Sequence, residues 1–166
     1  MKRLARDRGG AIYVEFLIAF MPILTMFLGV VQIADLHQAR LIVSHSAMVG
    51  ARAAVVVIPD DGQFYDGSQP GTVDGKRKEA IVKAVSIPLR ASRSITELKV
   101  TFPTTAGGTD DKTTYGRDDL VRVRVEARYQ CRVPLVNRMV CPDKSSTRTM
   151  VAEAALPNNG ADYVYP

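Results

Sequence analysis

Glu15 is the residue of this chain whose setting most clearly implies a specific chemistry. It stands at the start of 19 consecutive residues without a charge, Phe16 to Ala34, and Asp35 bounds the run at its other end. An ionisable side chain costs about 2.5–3.5 kcal/mol at the centre of a bilayer and less near its surface. Either the dipole of a helix stabilises the acid at headgroup depth, or a counter-charge neutralises it. The chemistry in question is therefore ion pairing rather than catalysis.

The two cysteines, Cys131 and Cys141, are the second pair of reactive side chains. In an oxidising compartment they could form a disulfide, and the short loop they close would gain roughly 3 kcal/mol. We predict the disulfide, with two unpaired thiols as the alternative. The chain has two His and two Cys, none at the spacing of a zinc motif, so we expect no metal site.

The remaining polar residues do not form a catalytic pattern. His37 and His45 lie eight residues apart, and no Ser or Cys follows a recognisable nucleophile motif. The acidic loops lack the spacing of a calcium site and are typical of turns; they contain Asp60, Asp61, Asp66, Asp110, Asp111, Asp118 and Asp119. We therefore predict a protein that is not an enzyme and that needs no cofactor.

The uncharged run is the element that must position Glu15. As a helix it would extend roughly 28 Å, close to the thickness of a hydrocarbon core. A helix of a soluble core would show a polar stripe, and this run has no strongly polar residue before Gln32 apart from Thr25. We predict a transmembrane helix over residues 11–34. A cleaved secretory signal is the alternative, but residues 32–34 fit its cleavage pattern poorly.

The charge distribution predicts the orientation of this helix. Residues 1–10 form a leader with four bases and one acid, which are Lys2, Arg3, Arg6, Arg8 and Asp7. Basic flanks stay in the cytoplasm, so the C-terminal part should lie on the far side of the membrane. The leader supplies +3 of the net charge of +5, which leaves +2 for the rest. Nucleic acid is therefore not the expected partner.

The helix should continue beyond the membrane as an amphipathic segment over residues 35–58. Its inward face is small and apolar, with Leu36, Ala39, Val43, Ala47, Gly50 and Ala54 at spacings of three and four. Pro59 follows and cannot continue a helix. We predict one helix from about residue 11 to 57, although the β-branched run 55–58 could instead be an early strand.

The rest of the chain, residues 59–166, is predicted to form an outer α+β domain. A turn-rich loop over 59–75 precedes a short helix over 76–87, whose basic residues should point outward. Strands are predicted over 95–102, 121–129 and 147–156. In the second, apolar residues alternate with Arg122, Arg124 and Arg128, and this row of arginines is predicted to be a solvated sheet face rather than a binding stripe. The fold class is α+β, with the long helix packed on a small antiparallel sheet.

The junction between leader and apolar run resembles a prepilin processing site. Gly10 stands five residues before Glu15, and Phe16 follows the acid, as in the Tad (Flp, type IVb) branch of type IV pilins. The wider resemblance is to TadE-like minor pilins, in Arg8-Gly9, in Val14-Glu15-Phe16 and in the sequence GARAA at 50–54. It is specific over residues 6–57 and weaker over the strands.

The resemblance implies cleavage by a prepilin peptidase between Gly10 and Ala11. The new α-ammonium of Ala11 could neutralise Glu15 in its own chain or in a neighbour, and a kink at Pro22 would be tolerated among packed helices. Gly9 offers a rival cleavage site, but only Gly10 has the right distance to Glu15. Ala11 replaces the usual Phe, which leaves N-methylation open.

The implied function is that of a minor pilin-like subunit in adhesion or surface attachment. The implied partners are the membrane, the peptidase, other major and minor pilins and, indirectly, an inner-membrane assembly platform with its motor ATPase. The implied location is the inner membrane, with the N-terminus cytoplasmic and the C-terminus periplasmic, or a pilus outside the cell. The alternatives are an unprocessed single-pass envelope protein with a binding outer domain, and a pseudopilin of a secretion or DNA-uptake machine.

Overall fold

The computed structural model describes residues 9–158 except 142 and 144. The basic leader residues Lys2, Arg3, Arg6 and Arg8 lie outside this part of the chain, as do residues 159–166 of the predicted outer domain. The elements follow one another as helix α1 (Gly9–Val57), a 3-10 helix (Gly62–Phe64), helix α2 (Gly75–Leu89), strands β1 (Ile95–Thr101) and β2 (Leu120–Gln130), the short helix α3 (Asn137–Val140) and strand β3 (Thr147–Pro157).

Helix α1 is continuous over 49 residues, which corresponds to roughly 73 Å. Its C-terminal half packs on α2, β2 and β3, whereas its N-terminal half projects beyond the sheet. The predicted single helix is confirmed, and the alternative of a strand at 55–58 is wrong because the helix ends at Val57. The predicted inward face is confirmed as well, since each of its six members is buried.

The three strands form an antiparallel meander in the order β1-β2-β3. In the central strand, Val125 lies opposite Val100 of β1 and Ala152 of β3. The alternating apolar residues of β2 are all buried against α1; they are Val121, Val123, Val125, Ala127 and Tyr129. The α+β fold with a long helix on a small antiparallel sheet is therefore confirmed.

The row of arginines lies on the opposite face of β2, as predicted, and each member is paired with a carboxylate. The ion pairs measure 3.5 Å from Arg122 to Glu153, 3.0 Å from Arg124 to Glu126 and 2.9 Å from Arg128 to Glu97; these six residues belong to one partly exposed surface. Partly exposed pairs of this kind contribute little to stability, but they neutralise the face.

Gly50 is the point of closest approach between α1 and the rest of the core. A Cβ atom added there would lie 2.5 Å from Cγ2 of Val85 and 3.1 Å from Cγ1 of Val123. Both neighbours are fully buried β-branched side chains with little freedom to move. Only a residue without a side chain allows α1 to contact α2 and β2 at once.

Arg77 corrects the expectation that the basic residues of α2 point outward. Its side chain is fully buried, and its guanidinium donates hydrogen bonds to four backbone carbonyls. These belong to Val57, Ile58 at 3.2 Å, Asp60 at 2.7 Å and Ser68 at 3.1 Å. The carbonyls at a helix C-terminus lack partners within the helix, and Arg77 satisfies two of them where α1 ends.

We expect the new methyl group of Gly50→Ala to overpack against Val85, at a cost of about 1–3 kcal/mol in the free energy of unfolding. The intrinsic gain of about 1 kcal/mol in helix propensity offsets part of this cost, so the net loss should be up to about 2 kcal/mol. Denaturant titration in detergent measures the change, with Gly29→Ala as the matched control because a Cβ there meets no atom within 4 Å. Equal stability of the two variants would contradict the packing argument.

We expect Arg77→Met to destabilise the outer domain by about 3 kcal/mol, since several buried carbonyls would lose their donor at once. The same titration measures this, and Lys83→Met on the exposed face of α2 should change stability by less than about 0.5 kcal/mol. An Arg77→Met protein as stable as Lys83→Met would show that water replaces the guanidinium without cost.

Candidate functional site

The predicted processing site and Glu15 lie within the first two turns of α1. Gly10 and Glu15 are exposed, and the backbone of Ala11 is already helical. Residues four apart share a helix face, so Glu15 lies one turn beyond Ala11. Among residues 9–158 described by the structure, no side chain is paired with the Glu15 carboxylate. A cation formed at position 11 would therefore be a near neighbour of this acid.

The first half of α1 is apolar around its whole circumference. The helix within Ile12–Val57 is the one among the described residues that is long and apolar enough to cross a membrane. Its apolar side chains are exposed rather than packed against the sheet. They are Ile12, Tyr13, Val14, Phe16, Leu17, Ile18, Phe20, Met21, Ile23, Met26, Phe27, Val30, Val31 and Ile33. We call this set the apolar belt. A surface of this size needs lipid or neighbouring helices to cover it.

The belt contains a local defect in the helix at Pro22. A proline removes one backbone donor and so leaves a carbonyl of the preceding turn without its usual partner. Thr25 makes a side-chain hydrogen bond in the next turn, where its Oγ1 donates to the carbonyl of Met21 at 2.8 Å. The rings of Phe16 and Phe20 stack one turn apart, with centroids 5.3 Å from each other. The kink expected at Pro22 stays a prediction.

A buried polar cluster joins the end of the belt to the sheet. Gln32 is fully buried; its Nε2 donates to the Tyr129 hydroxyl at 2.6 Å, and its Oε1 accepts from the backbone N–H of Val133 at 3.0 Å. The Tyr129 hydroxyl in turn donates to Oδ2 of Asp35 at 2.6 Å, and Ser94 donates to the same oxygen at 3.0 Å. We call Gln32, Asp35, Ser94 and Tyr129 the polar junction.

The environment of Tyr129 favours its neutral form. Burial raises the pKa of the phenol well above its ordinary value, and the hydrogen bond to the Asp35 carboxylate raises it further. The neutral phenol is the form that can donate to Asp35 while accepting from Gln32. The cluster is thus fully hydrogen-bonded at neutral pH, and it fixes α1 to the sheet where the belt ends.

The two cysteines are joined, with their sulfur atoms 2.02 Å apart. The bond closes a loop that contains α3 and leads into β3, in agreement with the predicted pairing. The N–H of Cys131 also donates to the carbonyl of Ser146 at 2.9 Å, which ties the loop to the start of β3.

Sequence reasoning missed the polar junction. The sequence pattern predicts Gln32 and Asp35 only as the end of the apolar run and Tyr129 only as a core position of β2. A signal was present, since Gln32 and Asp35 are three residues apart and share the face that Leu36 and Ala39 continue. Among the described residues, no group of three His, Cys, Asp or Glu side chains could hold a metal ion.

We expect Tyr129→Phe to lower the free energy of unfolding by about 1–3 kcal/mol at pH 7, because Gln32 and Asp35 lose a buried partner. The loss should shrink above pH 10, where an ordinary tyrosine ionises in the unfolded chain while Tyr129 stays protonated in the folded one, so the parent protein loses stability. Denaturant titration at pH 7 and pH 10.5 measures both effects.

Tyr115→Phe is the matched control for this prediction. Tyr115 is buried, with its pKa raised to about 12 mainly by burial, but its hydroxyl has no hydrogen-bond partner among the described residues. Its loss should therefore change stability little at pH 7. A Tyr129→Phe protein no less stable than Tyr115→Phe would contradict the role given to the polar junction.

Comparison with known proteins agrees with the N-terminal geometry. Residues 10–52 match the sequence model of the TadE-like protein family. No curated protein and no solved structure matches the chain significantly. The matched segment begins at the Gly10 junction, contains the whole apolar belt and ends at Arg52, in the half of α1 whose buried face packs on the sheet. The N-terminal helix of this chain is thus similar to that of TadE-like proteins over residues 10–52.

Proposed function

We propose that this chain is a minor pilin-like structural subunit of a Tad-type (type IVb) pilus, not an enzyme. A prepilin peptidase cleaves it after Gly10, and the mature subunit assembles through its apolar N-terminal helix for adhesion or surface attachment. The observation that carries the proposal is the apolar belt, which is exposed on all sides and lies within the segment that matches the TadE-like family.

The belt suits a helix that exchanges one apolar environment for another. In the inner membrane, with the N-terminus cytoplasmic and the outer domain periplasmic, lipid covers it. In a fibre, the helices of major and minor pilins cover the same side chains. The assembly platform and its motor ATPase would drive this transfer without touching the outer domain. Neither environment requires the helix to change its fold, because its backbone hydrogen bonds are internal.

Glu15 would set the axial alignment of neighbouring subunits in the fibre. Cleavage frees the α-ammonium of Ala11, one turn before Glu15, and either the same subunit or its neighbour supplies this cation. A carboxylate buried among apolar helices without such a partner would be strongly unfavourable. Subunits would therefore dock where the acid meets an ammonium.

The pseudopilin alternative with a DNA-binding sheet receives less support from the structure. Each arginine of the row on β2 is paired with a carboxylate, so this face lacks the excess positive charge that phosphate recognition needs. The other alternative is an unprocessed single-pass envelope protein, and the following experiment distinguishes it from a processed pilin.

We expect co-expression with an active prepilin peptidase to remove residues 1–10, because cleavage after Gly10 leaves Glu15 at the fifth mature position. Intact mass of the purified protein measures the cut, with a catalytically inactive peptidase as the control. Gly10→Leu should block cleavage and Gly9→Leu should not, which separates Gly10 from its rival. An uncut chain with the active enzyme would contradict the pilin proposal and favour the unprocessed envelope protein.

Glu15→Gln tests assembly separately from processing in the same cells. The variant should still be cut, but its co-purification with other pilins should fall about tenfold or more, since the ion pair is lost. Glu79→Gln on the exposed face of α2 is the matched control. Unchanged co-purification of the Glu15→Gln protein would contradict the proposal that Glu15 aligns neighbouring subunits.

A further inference from the structure

The disulfide loop, residues 131–141 with the sequence CRVPLVNRMVC, lies beside the outer half of the predicted membrane span. An apolar groove of about 660 Å³ separates it from α1. On the helix side the groove is lined by Met21, Pro22, Thr25, Met26, Gly29 and Ile33, and on the loop side by Val136, Met139 and Val140. With the N-terminus cytoplasmic, residues 25–34 form the half of the span that is nearer the periplasm.

The loop exposes apolar side chains at its tip. Leu135 is 58% exposed and Met139 is 77% exposed, whereas Val136 between them is buried and holds the turn in place. Leu135 has a φ of 70°, a backbone conformation that favours glycine and that a branched side chain adopts at a cost. The tip thus keeps a large apolar residue where a small or polar one would be less strained.

The charge of the loop is of one sign. Arg132 and Arg138 are both exposed, and residues 131–141 contain no acid. An arginine beside apolar side chains can lay its aliphatic stem along them while its guanidinium contacts phosphate. Apolar side chains flanked by basic ones are typical of segments that lie in a membrane interface.

We propose that the disulfide loop is a second membrane contact, which inserts Leu135 and Met139 into the outer leaflet of the bilayer that α1 crosses. Arg132 and Arg138 then contact the phosphates of the lipid headgroups. Acyl chains fill the groove between the loop and α1, because the groove is continuous with the apolar belt. The contact fixes how deeply the outer domain sits on the membrane surface.

Lipid fits the groove better than a second copy of this chain does. Arg132 and Arg138 flank the groove, so its occupant should present an anionic group beside the loop. A neighbouring α1 offers Glu15 only at the opposite end of the span, and its Asp35 is engaged by Tyr129 and Ser94. Lipid phosphates lie at the required depth along the whole membrane surface.

The test uses single tryptophans, because the chain has none. In the full-length protein, Met139→Trp and Leu135→Trp report on the loop, and Phe20→Trp reports on the membrane span. Val56→Trp is the control outside the membrane, because this exposed site of α1 lies 22 residues beyond Ala34, roughly 33 Å along the helix. Each protein is reconstituted into vesicles of phosphatidylethanolamine and phosphatidylglycerol, with ordinary or brominated acyl chains. Bromine quenches a tryptophan only at close range.

We expect quenching of the two loop tryptophans to reach at least about half of that at position 20, and position 56 to be unquenched. Loop tryptophans that emit like position 56 would overturn the inference. A blue-shifted but unquenched signal would overturn it too, since protein rather than lipid would then fill the groove. In a further variant, changing Arg132 and Arg138 to Gln should at least halve the loop quenching, and unchanged quenching would overturn the headgroup contact.

The inference rests on the membrane insertion of α1 in the proposed function, not on its processing or assembly. The Phe20→Trp protein distinguishes a failure of the loop contact from a failure of membrane insertion. Quenching at position 20 without quenching in the loop would overturn the loop contact alone. A position 20 that brominated lipid does not quench would overturn membrane insertion, and the loop contact with it.

Discussion

The structure depends on one constraint, which is that a single unbroken helix must satisfy two different surroundings. Over its first half α1 presents apolar side chains in every direction, and over its second half it presents a narrow stripe to a sheet. Backbone hydrogen bonding is internal to a helix, so the chain can pass from apolar surroundings into a folded domain with its peptide groups paired, apart from the carbonyl that Pro22 leaves without its usual donor. The side chains alone must adapt to the change.

In the second half of α1, the side chains of the stripe are mostly small, so the helix backbone lies close to the sheet. Apart from Leu36 and Val43, the face of α1 toward the sheet consists of alanines and Gly50, and most of the other buried side chains come from other elements, such as Val85 of α2 and Val123 of β2. This division places the helix axis near the sheet but gives α1 few large anchors of its own. The polar junction and Arg77 supply the anchors instead, one where the belt ends and the other where the helix ends.

Local patterns in the sequence predicted most of the fold, since helix and strand periods are read from neighbouring residues. The alternation in β2 and the small face of α1 both belong to this class. Arg77 and Tyr129 do not, because their environments come from partners 9–20 and 94–97 residues away in the chain. A base on an amphipathic helix is expected to be solvated, and the carbonyls at the end of α1 and in the loop that follows it make burial favourable for Arg77.

The two ends of the belt have opposite kinds of polar group, and this asymmetry bears on assembly. At its outer end, Gln32 and Asp35 are hydrogen-bonded within the chain and have no need of another subunit. At its inner end, Glu15 has no such partner among the described residues. In the proposed assembly, a second subunit would neutralise a buried charge at the inner end, whereas the outer end keeps the helix fixed to its own sheet. Subunits built in this way would be held in register through their first helical turns, and their outer domains would stay free to differ.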